Sequence, residues 1–104
     1  GTIKTIPLSG GTPTVVTEVK NAYAISSLAW SPDGTKIVYD YDGKSIQVVS
    51  LEDGTTSEIK TGLEDVKPFH VSWSRDGEKI AFGAYRKGEE AFWLMDNFLP
   101  LSQP

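Results

Sequence analysis

Short stretches of alternating apolar and polar residues run through the chain, and turn residues separate them. In the central part they cover residues 25–30, 36–41, 45–51 and 56–60, each rich in β-branched or aromatic residues and bounded by Gly, Asp or Pro. Short runs of this composition between turn residues are typical of β-strands, whereas the apolar spacing of about 3.6 residues that marks an amphipathic helix is absent from the sequence. The pattern therefore predicts an all-β protein, with four strands in this segment.

Part of this segment is repeated further along the chain. WSPDGTKIVY at residues 30–39 reappears as WSRDGEKIAF at residues 73–82, so that equivalent residues lie 43 positions apart. The same offset relates Ile3 to Ile46 and Val16 to Ile59. A repeat of about 40–45 residues that contains four short strands is typical of one β-propeller blade. We therefore predict four-stranded antiparallel blades with a period of 43.

The repeats predict a partial propeller of about two and a half blades. Residues 1–18 correspond to the outer two strands of one blade, 25–61 to a complete blade and 69–96 to a last blade that lacks its fourth strand, with a tail at 97–104. A blade needs a neighbour on each face to bury its apolar residues. We therefore expect either self-association, through the open edge at 91–95, or further blades of a longer chain.

Matching positions in the two copies predict the turns and the core of each blade. An Asp-Gly pair is expected to close a hairpin in each copy, because Asp accepts hydrogen bonds from nearby amides and Gly tolerates left-handed backbone. These turn residues are Asp33, Gly34, Asp76 and Gly77. Four aromatic residues are predicted to be buried between blades. They are Trp30, Trp73, Tyr39 and Phe82.

Composition limits the kinds of partner. The 104 residues include ten Lys and Arg against fourteen Asp and Glu, and the basic residues are scattered singly, which argues against nucleic acid as a partner. The chain has no cysteine, so disulfide and thiolate chemistry are excluded. Its longest apolar runs are far shorter than the ~20 residues of a membrane-spanning helix, so no membrane insertion is expected. A hydrophobic share of 38% is low for a self-sufficient core and favours a protein partner.

No pattern in the sequence predicts catalysis, a cofactor or a metal site. His70 is the single histidine and has no motif of partner residues around it. Asp40 and Asp42 stand in an Asp-x-Asp-Gly stretch like the start of a calcium loop, but the helix and distal Glu of such a loop do not follow. A hairpin three residues longer than its counterpart is predicted as a partner-binding loop. It contains Tyr85, Arg86, Lys87, Glu89 and Glu90.

The two copies are similar to the WS-P-D-G-x-x-I-A-F signature of TolB-like propellers, a WD-type repeat class. This class includes periplasmic TolB and the propeller domains of the prolyl oligopeptidase and tricorn families. FWLMDNFLP at residues 92–100 also resembles the closing strand and tail of bacterial propellers of this class. The resemblance implies a non-enzymatic scaffold for protein–protein interaction, in a bacterial periplasm or outside the cell. Propellers of this class typically have six blades, which is more than this sequence supplies.

Two other functions stay open from this resemblance. The first is the regulatory propeller of a prolyl-oligopeptidase or tricorn-like peptidase, whose catalytic domain is absent from this sequence. The second is a propeller lyase, for which the resemblance implies a catalytic metal held by several histidines of the central channel. The single histidine argues against the lyase, and the missing GxSxG motif argues against a hydrolase within these residues.

Overall fold

A computed structural model describes the backbone of residues 1–63, 65–86 and 89–96, and side chains up to residue 85. The predicted Lys87 and the tail at 97–104 therefore lie outside the described residues. Within the described part, nine strands and one 3-10 turn at Ala22–Ala24 make up the regular structure. The strands are β1 (Thr2–Thr5), β2 (Thr14–Glu18), β3 (Leu28–Trp30), β4 (Lys36–Tyr41), β5 (Ser45–Ser50), β6 (Thr56–Ile59), β7 (Lys67–Trp73), β8 (Lys79–Arg86) and β9 (Glu89–Asp96).

The strands form three antiparallel sheets, each of which follows the order of the chain. The first sheet has the order β1-β2, the second β3-β4-β5-β6 and the third β7-β8-β9. Corresponding strands keep the repeat, because β4 begins at Lys36 and β8 begins at Lys79. The fold-class prediction is confirmed: the chain is an all-β partial propeller built from antiparallel blades. We call the three sheets the first, central and last blade.

Side chains that alternate along β4 cover both faces of the central blade. Ile37 and Tyr39 point towards the first blade, where they form one core cluster with Ile3 and Val49. Val38 points the other way and belongs to the cluster between the central and last blades. The buried members of this second cluster are Val38, Ile46, Val48, Ile59, Val71, Ile80, Phe82 and Ala84. The central blade is therefore packed between its two neighbours.

The first strand of the central blade is shorter than the sequence pattern predicts. The pattern placed it at residues 25–30, whereas β3 begins at Leu28. The backbone amides of Ser26 and Ser27 donate hydrogen bonds to the side chain of Asp40, at 2.7 and 3.3 Å. Because these amides bind a carboxylate, they do not join the backbone ladder between β3 and β4.

The hairpin between β8 and β9 differs in form from the predicted loop. The extra residues lengthen the two strands, which have eight residues each against six in β4 and β5. The ladder continues through the pairs Tyr85–Glu90 and Arg86–Glu89. Four of the five residues predicted for this loop therefore belong to paired strands. Whether this hairpin binds a partner stays a prediction.

Candidate functional site

The turn between β3 and β4 is held by one carboxylate that accepts several hydrogen bonds. Oδ1 of Asp33 accepts from the Thr35 amide at 3.0 Å, from Thr35 Oγ1 at 2.7 Å and from Ser31 Oγ at 2.8 Å. These bonds, with the Thr35 amide first, lower the pKa of Asp33 to about 2 from its ordinary value of 3.8. Gly34 follows with a φ of 75°, a left-handed conformation that favours glycine.

The second copy builds the same turn in the last blade. Asp76 Oδ1 accepts from Ser74 Oγ at 2.6 Å and from the Glu78 amide at 3.0 Å, and these bonds lower the pKa of Asp76 in the same way. Between the two turns lies a cleft of about 330 Å³. It is lined by Ser31, Pro32, Asp33, Lys36, Trp73, Arg75, Asp76 and Gly77. Donors of its own turn therefore hold each of the two aspartates.

A buried carboxylate in β4 was not found by sequence analysis. Asp40 is only 1% exposed, and its Oδ2 accepts hydrogen bonds from Ser26 Oγ and Ser27 Oγ, both at 2.7 Å. Its Oδ1 binds the two amides that precede β3. Four donors therefore satisfy the carboxylate inside the protein, as burial of a polar group requires. The Asp-x-Asp stretch does not form a calcium loop at these positions, because Asp40 faces inward and Asp42 forms an exposed ion pair with Lys44 at 3.8 Å.

Hydrogen bonds connect the central blade to the last blade at Val71 and at Trp73. Ser27 Oγ donates to Asp40 and accepts from the backbone amide of Val71 at 3.1 Å. Two residues further along both segments, the Trp73 indole Nε1 donates to the Ala29 carbonyl oxygen at 3.2 Å. The inner hairpin formed by β3 and β4 therefore covers β7, and the acceptors lie in β3 and in the residue just before it. Trp73 is half-buried by this contact.

The equivalent face of the central blade is uncovered. Val71 is 5% exposed, whereas its counterpart Leu28 is 49% exposed and Trp30 is 52% exposed. The prediction that Trp30 is buried is therefore wrong for this chain. The reason is that β1 and β2 correspond to β5 and β6, so the first blade has no described counterpart of the β3–β4 hairpin. Of the other predicted core aromatics, Tyr39 and Phe82 are buried, whereas Trp73 is only partly buried.

The last blade replaces the buried polar cluster with an aromatic contact. Gly83 stands where Asp40 stands one repeat earlier, and the Phe69 ring lies so close above it that a Cβ at Gly83 would overlap the ring. His70, the counterpart of Ser27, has a φ of 50° within an irregular stretch of β7 and an edge-on ring contact with Phe69. The His70 side chain is exposed. Within the described residues, no group of three His, Cys, Asp or Glu side chains could hold a metal ion.

The described residues form part of a β-propeller, and comparison with known proteins agrees with this class. No family model matches the sequence, and no curated protein sequence matches it. The chain is similar to the solved structure of a protein assigned as TolB from Agrobacterium tumefaciens, with 26% sequence identity and a TM-score of 0.74. The match covers 91% of this chain and 34% of that one, so this chain spans about a third of its length.

The likeness supports a TolB-like fold for the described blades. In the part of the chain that the structure describes, no helix is both long and apolar enough to cross a membrane.

Proposed function

We propose that this chain is a non-enzymatic part of a TolB-like propeller and binds protein through the uncovered side of its central blade. The supporting observation is the contrast between Leu28, at 49% exposure, and Val71, at 5%. Both residues occupy the same position in the repeat, and among the described strands only the second has a covering hairpin. We call the surface formed by Leu28, Trp30 and the unpaired edge of β1 the open face.

The open face has the features of a protein-binding surface. A half-exposed tryptophan beside a half-exposed leucine forms an apolar patch, and tryptophan is enriched where binding energy is concentrated. Burying the exposed halves of these two side chains contributes about 2–4 kcal/mol. Within the described residues, β1 pairs only with β2, so the other edge of β1 offers backbone donors and acceptors to a further strand.

The likeness to a TolB structure also supports a periplasmic location and a role without catalysis. The regulatory propeller of a peptidase is the alternative that the sequence leaves open, and no contact in the described residues favours it. The open face serves a protein partner in either case, because its exposed groups are apolar side chains and a strand edge.

Site-specific crosslinking tests this function. A photoreactive amino acid placed at Leu28 is expected to give discrete protein adducts in a bacterial envelope extract, and excess unmodified chain should compete them away. Leu8 is the matched control, because it is a fully exposed leucine in the turn between β1 and β2. Weaker adducts from the Leu28 probe in a Trp30→Ser background would place the partner on the open face. Equal labelling from positions 8 and 28, or no adducts from position 28, would contradict the proposal.

A further inference from the structure

We infer that a pocket between the first and central blades binds an uncharged, hydroxyl-bearing ligand of about the size of one sugar ring. The pocket has a volume of about 210 Å³ and lies between the segment at the end of β2 and the central blade. Its described lining residues are Glu18, Val19, Lys20, Tyr39, Tyr41, Gln47 and Thr56. None of them belongs to the open face, so this inference goes beyond the proposed function and does not depend on it.

A buried tyrosine at this pocket has a hydroxyl group without a protein partner. Tyr39 is only 3% exposed, and within the described residues its hydroxyl forms no hydrogen bond. Because no fully buried polar side-chain atom in the described residues lacks a partner, this oxygen must reach solvent, and the pocket that Tyr39 lines provides the opening. Burial raises the pKa of Tyr39 above its ordinary value of 10.0, so the hydroxyl keeps its proton and can both donate and accept.

The repeat within the chain shows that packing does not require this hydroxyl. Phe82 lies 43 residues after Tyr39 and is equally buried at the same position of the last blade. Lys20 likewise corresponds to Leu63, which packs against the core cluster between the central and last blades. Apolar residues thus take both positions where the same contact between blades recurs. A buried hydroxyl that packing does not require, and that lines a pocket, points to a ligand.

The neighbouring polar groups match a ligand that carries hydroxyl groups. The Tyr41 hydroxyl accepts a hydrogen bond from the Asn21 amide at 3.0 Å, which leaves its own hydrogen to donate to a ligand. Gln47 Nε2 donates to Ser45 Oγ at 3.2 Å, which leaves the amide oxygen of Gln47 to accept. Because a ligand hydroxyl both donates and accepts, it can pair with either kind of group.

Charge and size narrow the class of ligand further. Glu18 and Lys20 are both exposed at the pocket and carry opposite charges, so the pocket selects neither an anion nor a cation. The rings of Tyr39 and Tyr41 and the side chain of Val19 add apolar surface, which suits the C–H face of a sugar ring. The volume lies below the ~300 Å³ at which pockets for drug-sized ligands begin, so a single ring fits.

Amide NMR titration of the full chain tests this inference. The probes are the methyl α-D-pyranosides of glucose, galactose and mannose, and at least one is expected to shift the amide signals of Val19 and Gln47 in a saturable way. Tyr39→Phe copies the residue of the next repeat, so it should fold and weaken binding of that sugar about two- to tenfold through the loss of one hydrogen bond. Tyr23→Phe is the matched control, because Tyr23 is fully exposed outside the pocket, and it should leave the affinity unchanged.

A second variant fills the pocket and leaves the tyrosine hydroxyls in place. Lys20→Leu copies Leu63 of the next repeat and is expected to abolish saturable binding without lowering Tm. Lys4→Leu is its control, because Lys4 is an exposed lysine that does not line the pocket. Tighter binding of a disaccharide that ends in the same ring would support the end of a longer glycan as the ligand, and equal or weaker binding would support a free sugar.

Four results would overturn the inference. They are no saturable shift with any of the three sugars, equal binding of the methyl glycosides of glucuronic acid or glucosamine, saturable binding of acetamide without a response to sugars, and an affinity that neither Tyr39→Phe nor Lys20→Leu changes. Crosslinking from position 28 does not depend on this pocket, so these failures would leave the proposed function standing.

Discussion

Replacing the buried Asp40 with asparagine removes the charge of the cluster while keeping its size. The carboxylate accepts four hydrogen bonds, two at Oδ1 from backbone amides and two at Oδ2 from the hydroxyls of Ser26 and Ser27. In Asp40→Asn, Oδ1 remains an acceptor, but an NH₂ group replaces Oδ2 and points donors at two hydroxyl oxygens. The Ser27 hydroxyl must then accept from this group while it still accepts from the Val71 amide.

The expected cost follows from the number and kind of bonds. A hydrogen bond to a charged group contributes about 1.5–3 kcal/mol and a neutral bond about 1 kcal/mol. Asp40→Asn weakens the two amide bonds and removes the acceptor of the Ser26 and Ser27 hydroxyls, so the free energy of unfolding should fall by about 2–4 kcal/mol. Asp40→Ala leaves all four donors without their acceptor and should cost about 3–5 kcal/mol.

Urea titration of the unmodified chain and the two variants measures these losses. A loss of 2–4 kcal/mol corresponds to a decrease in Tm of about 10–20 °C for a domain of this size. Asp42→Asn is the matched control, because Asp42 is exposed and asparagine tolerates its left-handed φ of 57°. We expect it to change stability by less than about 0.5 kcal/mol. Exchange at the Val71 amide should also accelerate in Asp40→Asn.

The reasoning fails if the buried and exposed aspartates behave alike. A loss below about 0.5 kcal/mol in Asp40→Asn would show that the cluster adds nothing beyond a neutral amide. A full loss with unchanged exchange at the Val71 amide would show that the cluster stabilises β4 alone and does not connect the two blades.

Three further predictions concern the last blade, the two tryptophans and the first turn. Gly83→Ala should cost about 1–3 kcal/mol in urea titration, because its Cβ overlaps the Phe69 ring, and an equal cost in a Phe69→Leu background would contradict this cause. Trp73→Phe should cost about 1 kcal/mol more than Trp30→Phe, because only Trp73 donates to a described carbonyl, and equal costs would refute it. NMR titration should find the pKa of Asp33 near 2, and a midpoint near 3.8 would contradict its hydrogen bonds. Because this pKa is lowered on folding, the stability that Asp33 contributes is complete above about pH 4 and is lost as the pH falls through 2.

Local chemistry made the turns and the strand order predictable from the sequence. Asp33 and Gly34 form their turn through bonds to residues within two positions, so the information is contained in a short stretch. The same is true of the alternation in β4, where Ile37 and Val38 take opposite faces. Repetition at 43 residues then extended these local predictions to the propeller class, because each copy supports the same strand order.

Features that depend on distant neighbours could not be predicted in this way. Trp30 and Trp73 have the same local sequence, and their different exposure comes from what lies against each blade. The role of Asp40 depends on Ser26, fourteen residues earlier in the chain. One signal was present, because an aspartate between two tyrosines occupies an inward position of the strand. Tyr85 was assigned to a loop because extra length in a hairpin does not reveal whether the strands or the turn receive it.

The exchange of the Asp40 cluster for the Phe69–Gly83 contact has a consequence for folding fidelity. Two hairpins with similar sequences could be exchanged during folding, so that each packs in the blade of the other. The β4–β5 hairpin carries a carboxylate that needs the donors of Ser26 and Ser27, whereas the β8–β9 hairpin carries a glycine beneath an aromatic ring that leaves no space for a Cβ. A traded arrangement would bury an unsatisfied charge on one side and leave a void on the other. The different buried contacts of the two copies thus favour the native blade arrangement over one in which the two hairpins are exchanged.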